Sequence, residues 1–178
     1  MNFFELFNLP ATFELDLREL DSRYRELSVQ HHPDKFAGAE AKQRIEALET
    51  TAQLNQGYKT LRDPVLRAAY LLKLLGVDLD EEGERTFQMD PRFLMEILEL
   101  REKLDAAKQK ADVPAAQEMG KQMAAREAQT HELLSKLFAE QQQAPDSARL
   151  QKVAEQVAAL RYFRRFQDEV SSIEEDSF

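Results

Sequence analysis

A chain of 178 residues with 43% hydrophobic residues is long enough for one or two domains with an apolar core, and the lack of cysteine excludes disulfide bonds and thiolate metal sites. The formal net charge of −9 argues against nucleic acid as a partner, because phosphate binding requires concentrated Lys and Arg. Since five Gly and six Pro stand among many Ala, Leu, Glu, Gln and Lys, we predict an all-α protein with short connections.

The first predicted element is a brief helical turn over residues 3–7 that ends at Asn8 and Pro10. The residues from Met1 to Phe7 carry no basic leader. No apolar stretch reaches the roughly 20 residues needed to cross a bilayer. We therefore expect no membrane partner, and the cytoplasm is the expected compartment.

The next two predicted helices flank an exposed turn. An aspartate N-cap begins a helix over residues 16–31, and a second amphipathic pattern predicts a helix over residues 39–62. Between them stands the tripeptide His32-Pro33-Asp34, where proline forces the preceding residue into extended backbone and cannot continue the helical hydrogen bonds. The two helices can therefore lie antiparallel, with the tripeptide at an exposed corner.

An aspartate–proline pair begins the following helix. Asp63 is a typical cap, Pro64 suits the first helical position, and Gly76 is a natural stop. The acidic stretch over residues 77–89 then shows no helical period, which is typical of a linker. We therefore place an N-terminal domain over residues 1–76 before this linker.

Three longer helices are predicted in the second half. Asp90-Pro91 repeats the aspartate–proline start, and helices over about residues 112–143 and 146–171 follow after short turns. Short connections favour antiparallel neighbours. Residues 90–178 are therefore predicted to form a three-helix bundle.

The apolar residues of the first bundle helix divide into two sets. One set shares a single stripe on a helical wheel and should face the core: Phe93, Ile97, Leu100, Leu104 and Ala107. The other set, Leu94, Met95 and Leu98, lies roughly 100 to 160° from that stripe, beside Glu99 and Glu102. These residues are either covered by a contact between domains or exposed as an apolar surface rimmed by charge, which is typical of protein binding.

The last helix presents an inward stripe of Leu150, Val153, Val157 and Leu160. Tyr162 and Phe166 fall on the opposite side of the wheel, where they join either a binding surface or a contact between domains. Arg161, Arg164 and Arg165 form a short basic run. We interpret these arginines as solvated or paired with nearby acidic residues rather than as a nucleic-acid site.

The exposed tripeptide could also have a purely structural role or bind a metal. Asp34 could cap the following helix while Pro33 only marks a corner. His31, His32 and Asp34 could bind zinc or iron, although adjacent histidines at a helix end point in different directions. The sequence contains no phosphate-binding loop, dinucleotide-binding, nucleophile-elbow or zinc-protease motif. We therefore expect no cofactor, no metal, no small-molecule substrate and no enzymatic activity.

The assembled pattern resembles a known family. A helix, the exposed tripeptide and an antiparallel helix within the first 75 residues resemble a J-domain. Lys35 and Phe36 after the tripeptide, together with the run Phe93–Glu102, resemble the HscB family of J-domain co-chaperones, which serve bacterial iron–sulfur cluster assembly. The resemblance covers nearly the full length. It implies an all-α protein in which a J-domain, an antiparallel helical hairpin with flanking helices, is joined to a C-terminal three-helix bundle.

The resemblance also implies partners and sites. The J-domain would bind the DnaK-type chaperone HscA and stimulate its ATPase, through the matching residues His32, Pro33, Asp34, Arg23, Arg25 and Lys35. The client would be the scaffold protein IscU, and the matching residues are Leu94, Met95, Leu98, Glu99, Glu102 and Tyr162. The basic face departs from a general J-domain, since residues 16–36 hold four basic and five acidic side chains. Dedicated partnering with one chaperone would fit that weaker patch.

The expected function is a non-enzymatic adaptor that delivers IscU to HscA while stimulating ATP hydrolysis. An alternative keeps the J-domain but assigns the second half to another client or to coiled-coil assembly.

Overall fold

The fold is given by a computed structural model that describes residues 1–79 and 90–175. These residues form helices and no strand, so the all-α prediction is confirmed. The α-helices are α1 Phe3–Leu6, α2 Leu17–Gln30, α3 Ala41–Arg62, α4 Pro64–Leu74, α5 Pro91–Gln109, α6 Val113–Gln143 and α7 Ser147–Glu175, and a 3₁₀ turn spans Pro33–Phe36.

The chain divides into two compact units, Met1–Leu71 and Leu72–Phe178. The point of division lies within α4. The linker predicted over residues 77–89 lies outside the described residues from residue 80 onward.

Aspartate side chains cap the helices at the predicted starts. The Asp63 carboxylate accepts the backbone N–H groups of Val65 and Leu66, at 2.8 and 3.0 Å. Asp90 and Asp112 accept N–H groups in the same way at the starts of α5 and α6. These caps satisfy amide groups that have no partner within the helix. Because each cap acts on residues next to it, the helix starts can be predicted from the local sequence.

The predicted helix ends are confirmed at two places and wrong at a third. Asn8, with φ 51°, follows α1, and Gly76, with φ 89°, follows α4, so both stops are left-handed as helix ends often are. The last helix does not end near residue 171 but continues to Glu175. Its final turn still buries Ile173, and that packing favours continued helix.

In the first unit, α2 and α3 form an antiparallel hairpin. The Tyr24 hydroxyl donates to Asn55 Oδ1 at 2.7 Å, and the Tyr58 hydroxyl donates to Asp21 Oδ1 at 2.8 Å. The two tyrosine rings stack with centroids 4.0 Å apart, and Arg62 pairs with Asp21 at 2.8 Å. Because the partners run in opposite order along the two helices, the hairpin has the predicted antiparallel direction.

Arg67 of α4 is a buried cation that the sequence analysis did not identify. Its side chain is only 5% exposed, and its Nε donates to the carbonyl of Phe13 at 2.8 Å while Nη1 donates to that of Leu61 at 2.5 Å. The guanidinium also lies 5.5 Å from the centroid of the Phe13 ring. Burial lowers the pKa of Arg67. The side chain ties the loop before α2 to the end of α3.

The second unit is the predicted three-helix bundle. The long helices α6 and α7 pack along each other, and α5 packs on both. On α5, Ile97, Leu104 and Ala107 are buried while Phe93 and Leu100 are half-buried. The core stripe predicted for α5 is therefore confirmed.

Phe166 on α7 corrects the helical wheel. This side chain is 5% exposed, and it lines a small pocket of the second unit with Ile97 and Tyr162. The wheel assumed one inward stripe, but α7 contacts both α5 and α6, so a wider arc of the helix is buried. Phe166 therefore belongs to the core of the bundle.

Candidate functional site

The tripeptide forms the exposed corner that the sequence predicts. His32 has extended backbone, with φ −61° and ψ 129°, and Pro33 begins the 3₁₀ turn. The side chain of His32 is 57% exposed and that of Asp34 is 90% exposed. The Asp34 N–H donates to His32 Nδ1 at 3.3 Å, and the Asp34 carboxylate lies 3.5 Å from the same nitrogen. The backbone N–H of Asp34 thus orients the imidazole of His32, and both side chains remain turned to water.

The structure removes one alternative for Asp34. The helix α3 begins at Ala41, and its N-cap is Glu40, which forms no capping hydrogen bond with its side chain. Asp34 therefore does not cap that helix, and the prediction that it could do so is wrong. Within residues 1–79 and 90–175, no group of three or more His, Asp or Glu side chains could hold a metal ion.

The basic residues of α2 are partly neutralised by their own helix. Arg23 lies 3.6 Å from a carboxylate oxygen of Glu19 and 4.0 Å from one of Glu26. Arg25 donates from Nε to a backbone carbonyl one turn earlier, at 3.2 Å, while Lys35 is exposed in the turn. A partner approaching this face meets positive and negative charge side by side.

The second set of apolar residues on α5 is exposed, as the helical wheel predicts. Leu94 is 37% exposed, Met95 60% and Leu98 56%, and the neighbouring Glu99 and Glu102 are exposed as well. Three large apolar side chains along one helix face leave apolar area in water. Such a rimmed apolar face can bind another protein.

Tyr162 lies beside the first turn of α5. Its half-buried ring meets the ring of Phe93 edge-on, with centroids 6.0 Å apart, and the Arg165 guanidinium lies 5.1 Å from its centroid. Of the other arginines in the basic run, Arg161 donates to the backbone carbonyl of Leu79. The run therefore contributes to packing as well as to charge.

An ion pair in the bundle joins two residues that the sequence pattern does not connect. Arg126 of α6 donates to the carboxylate of Glu96 on α5. This hydrogen bond lowers the pKa of Glu96. The two residues stand 30 positions apart, and no local pattern links them.

Comparison with known proteins agrees with this architecture. Residues 2–70 match the family model of the DnaJ domain, and residues 89–171 match the model described as the HSCB C-terminal oligomerisation domain. The curated Co-chaperone protein HscB homolog of Shewanella oneidensis is 40% identical over 176 residues, which cover 98% of each chain. The chain belongs to the HscB family. The corresponding HscB homolog of Vibrio vulnificus strain YJ016 is 35% identical over 178 residues, covering 100% of this chain and 99% of that protein.

Solved structures of the HscB family have the same fold. Chaperone HscB from Vibrio cholerae superposes with a TM-score of 0.83 at 35% identity and full coverage of both chains. The human co-chaperone protein HscB gives a TM-score of 0.83 at 27% identity, covering 96% of this chain and 81% of the human one. The fold class implied by the resemblance, a J-domain with an HscB C-terminal bundle, is therefore confirmed.

Membership in the HscB family establishes the general role. A J-domain protein of this family is a co-chaperone of an Hsp70-type chaperone. None of the helices within residues 1–79 and 90–175 is long and apolar enough to cross a bilayer.

Proposed function

We propose that this protein binds an IscU-type iron–sulfur scaffold and delivers it to the DnaK-type chaperone HscA while stimulating ATP hydrolysis. The observation that carries the proposal is that one HscB-family chain presents both an exposed His32-Pro33-Asp34 turn and an exposed apolar face on α5. The outcome would be support for the maturation of iron–sulfur proteins in the cytoplasm.

In this proposal the tripeptide is the chaperone-binding element of a J-domain over residues 1–76. His32 and Asp34 offer an imidazole and a carboxylate on a corner that begins where Pro33 ends the helical hydrogen bonding. Arg23, Arg25 and Lys35 add positive charge for an acidic partner surface. ATP hydrolysis takes place in the chaperone, so this chain needs no catalytic group or cofactor of its own.

The face on α5 is the proposed client site of a bundle over residues 90–178, joined to the J-domain by a linker over residues 77–89. Leu94, Met95 and Leu98 would be buried by the client, and burying apolar area is the main favourable term in such contacts. The rim residues Glu99 and Glu102 select basic groups on the client. Tyr162 closes the edge of the face beside Phe93.

Joining both sites in one chain explains why the chain need not carry out any chemistry. A client bound to the second unit is tethered to the chaperone bound by the first, so its effective concentration at the chaperone rises. Capture of the client then coincides with ATP hydrolysis.

Single-turnover ATP hydrolysis by HscA, with and without IscU, tests the proposal. We expect the wild-type chain to accelerate hydrolysis, IscU to increase the effect further, and His32→Gln to abolish the acceleration. His131→Gln, on α6, is the matched control and should behave as the wild type. Stimulation that persists in His32→Gln would contradict the chaperone half of the proposal. Stimulation to which IscU adds nothing would instead favour another client or a coiled-coil assembly role for the bundle.

A further inference from the structure

Thr51 of α3 connects that helix to the residue before the tripeptide. Its hydroxyl lies 3.1 Å from the backbone carbonyl oxygen of His31 and 2.8 Å from that of Ala47. The side chain is half-buried, and the contact to His31 spans 20 residues of sequence. One hydroxyl proton is therefore placed between two acceptors.

The hydrogen bond from Thr51 matters more for the carbonyl of His31 than for that of Ala47, because only the latter has a helical N–H as its donor. Ala47 lies inside α3, where its carbonyl is part of the regular helical hydrogen bonding. His31 is the C-cap of α2, and in a continued helix its carbonyl would accept the N–H of Lys35. That N–H instead donates to the carbonyl of His32 at 3.0 Å. The 3₁₀ turn has thus taken away the helical donor, and the hydroxyl of Thr51 replaces it.

The remaining hydrogen bonds of the turn are local. The Asp34 N–H donates to His32 Nδ1, and the Ala37 N–H donates to the Asp34 carbonyl at 3.3 Å. These bonds shape the turn, and the turn also packs against α3. The hydroxyl of Thr51 adds a directional polar contact, because it binds the peptide group from which the tripeptide departs.

We propose that Thr51 is a positioning residue, which orients the tripeptide for the chaperone by donating its hydroxyl hydrogen bond to the carbonyl of His31. This inference rests on the proposed function. Thr51 does not contact the chaperone itself but acts through the position of the tripeptide. Without the hydroxyl, the hairpin still forms and the turn still packs against α3, but the turn adopts the observed direction less often. A smaller fraction of the molecules is then competent to bind the chaperone.

Thr51→Val tests the inference because valine keeps the branched shape and removes the hydroxyl, while Thr51→Ser keeps the hydroxyl and removes the methyl group. In single-turnover assays with HscA, we expect the valine variant to need more protein for half-maximal stimulation, by up to about fivefold, the largest shift that loss of one neutral hydrogen bond can cause through the competent population. The rate at saturation should stay that of the wild type. The serine variant should restore the wild-type concentration dependence.

Two measurements separate positioning from a general loss of structure. The carbonyl ¹³C resonance of His31 should move in Thr51→Val and return in Thr51→Ser, while the resonance of Leu61, at the far end of α3, stays in place. Circular dichroism should show the same helix content in all variants. If the valine variant unfolds at the assay temperature, Thr51→Ala is measured in its place, with the same expectation.

A folded valine or alanine variant with the wild-type half-maximal concentration would overturn the inference. A serine variant that behaves like valine would overturn it too, because the methyl group would then be what matters. Failure of the proposed function has a different signature, since the wild-type chain itself would then give no stimulation and would match His32→Gln.

Discussion

Replacing the exposed apolar residues of α5 by serine should weaken scaffold binding in proportion to their exposure. Complete burial of a leucine or methionine side chain contributes about 1.5–3 kcal/mol. Leu98 is 56% exposed and Met95 60%, so each offers roughly half of that to a partner, about 1–1.5 kcal/mol. Each single serine substitution should therefore raise the Kd for IscU roughly five- to tenfold.

Leu94→Ser should have a smaller effect because Leu94 is only 37% exposed. We expect its Kd for IscU to rise roughly three- to sixfold. The affinity of the triple variant for IscU should fall on the order of a hundredfold. The three effects need not add exactly, because the side chains are neighbours. Stability should also fall, by about 1–2 kcal/mol for Leu94, most of whose side chain is already covered within the fold, and by less for the more exposed Met95 and Leu98.

Isothermal titration of IscU into each variant measures these effects, with circular dichroism and thermal unfolding as checks on the fold. Leu133→Ser is the matched control, since Leu133 is 42% exposed on α6 and undergoes the same chemical change. It should bind IscU as the wild type does. A folded triple variant that binds as tightly as the wild type would refute the assignment of this face, and so would equal losses in Leu133→Ser.

Three further predictions follow from charged residues. Arg67→Met removes the buried hydrogen bonds to the carbonyls of Phe13 and Leu61 and should lower the free energy of unfolding by about 2–4 kcal/mol, as measured by guanidinium denaturation; an unchanged midpoint would contradict this account. The hydrogen bond from Arg126 depresses the pKa of Glu96, so its stabilisation is present above the pKa of an unfolded glutamate and is lost as the pH falls through the folded value. The difference in Tm between wild type and Glu96→Gln should accordingly be largest near neutral pH and vanish in acid. Replacing Glu19 and Glu26 together by Gln unmasks positive charge on α2 and should strengthen stimulation of a general DnaK at low salt, with no gain at high salt.

The helix starts could be predicted because their causes are local. An aspartate that caps and a proline that tolerates the first helical position lie side by side at Asp63-Pro64 and Asp90-Pro91, so the signal and the structure occupy the same few residues. The exposed corner at Pro33 was predictable for the same reason, since the ring of proline acts on its immediate neighbours.

Features that depend on partners distant in sequence could not be predicted. Arg67 is buried because it reaches the carbonyl of Phe13, 54 residues away, whereas a periodic pattern treats arginine as a surface residue. Phe166 is buried because two helices flank α7, which a wheel drawn for one helix cannot show. The bond from Thr51 to His31 belongs to the same class, because a threonine in a helix gives no sign of what it faces.

Folding does not account for the two surfaces that we propose for binding. The core holds side chains such as Leu104 and Phe163, which are 2% and 4% exposed, and their burial stabilises the bundle. Met95 and Leu98 keep more than half of their area in water, and Asp34 keeps nearly all of its side chain there. A large apolar side chain in water contributes little to stability and adds a risk of aggregation, and this cost supports the proposal that a partner covers the face. If the proposal holds, substitutions at Met95, Leu98 or Asp34 should impair one binding activity while the fold remains.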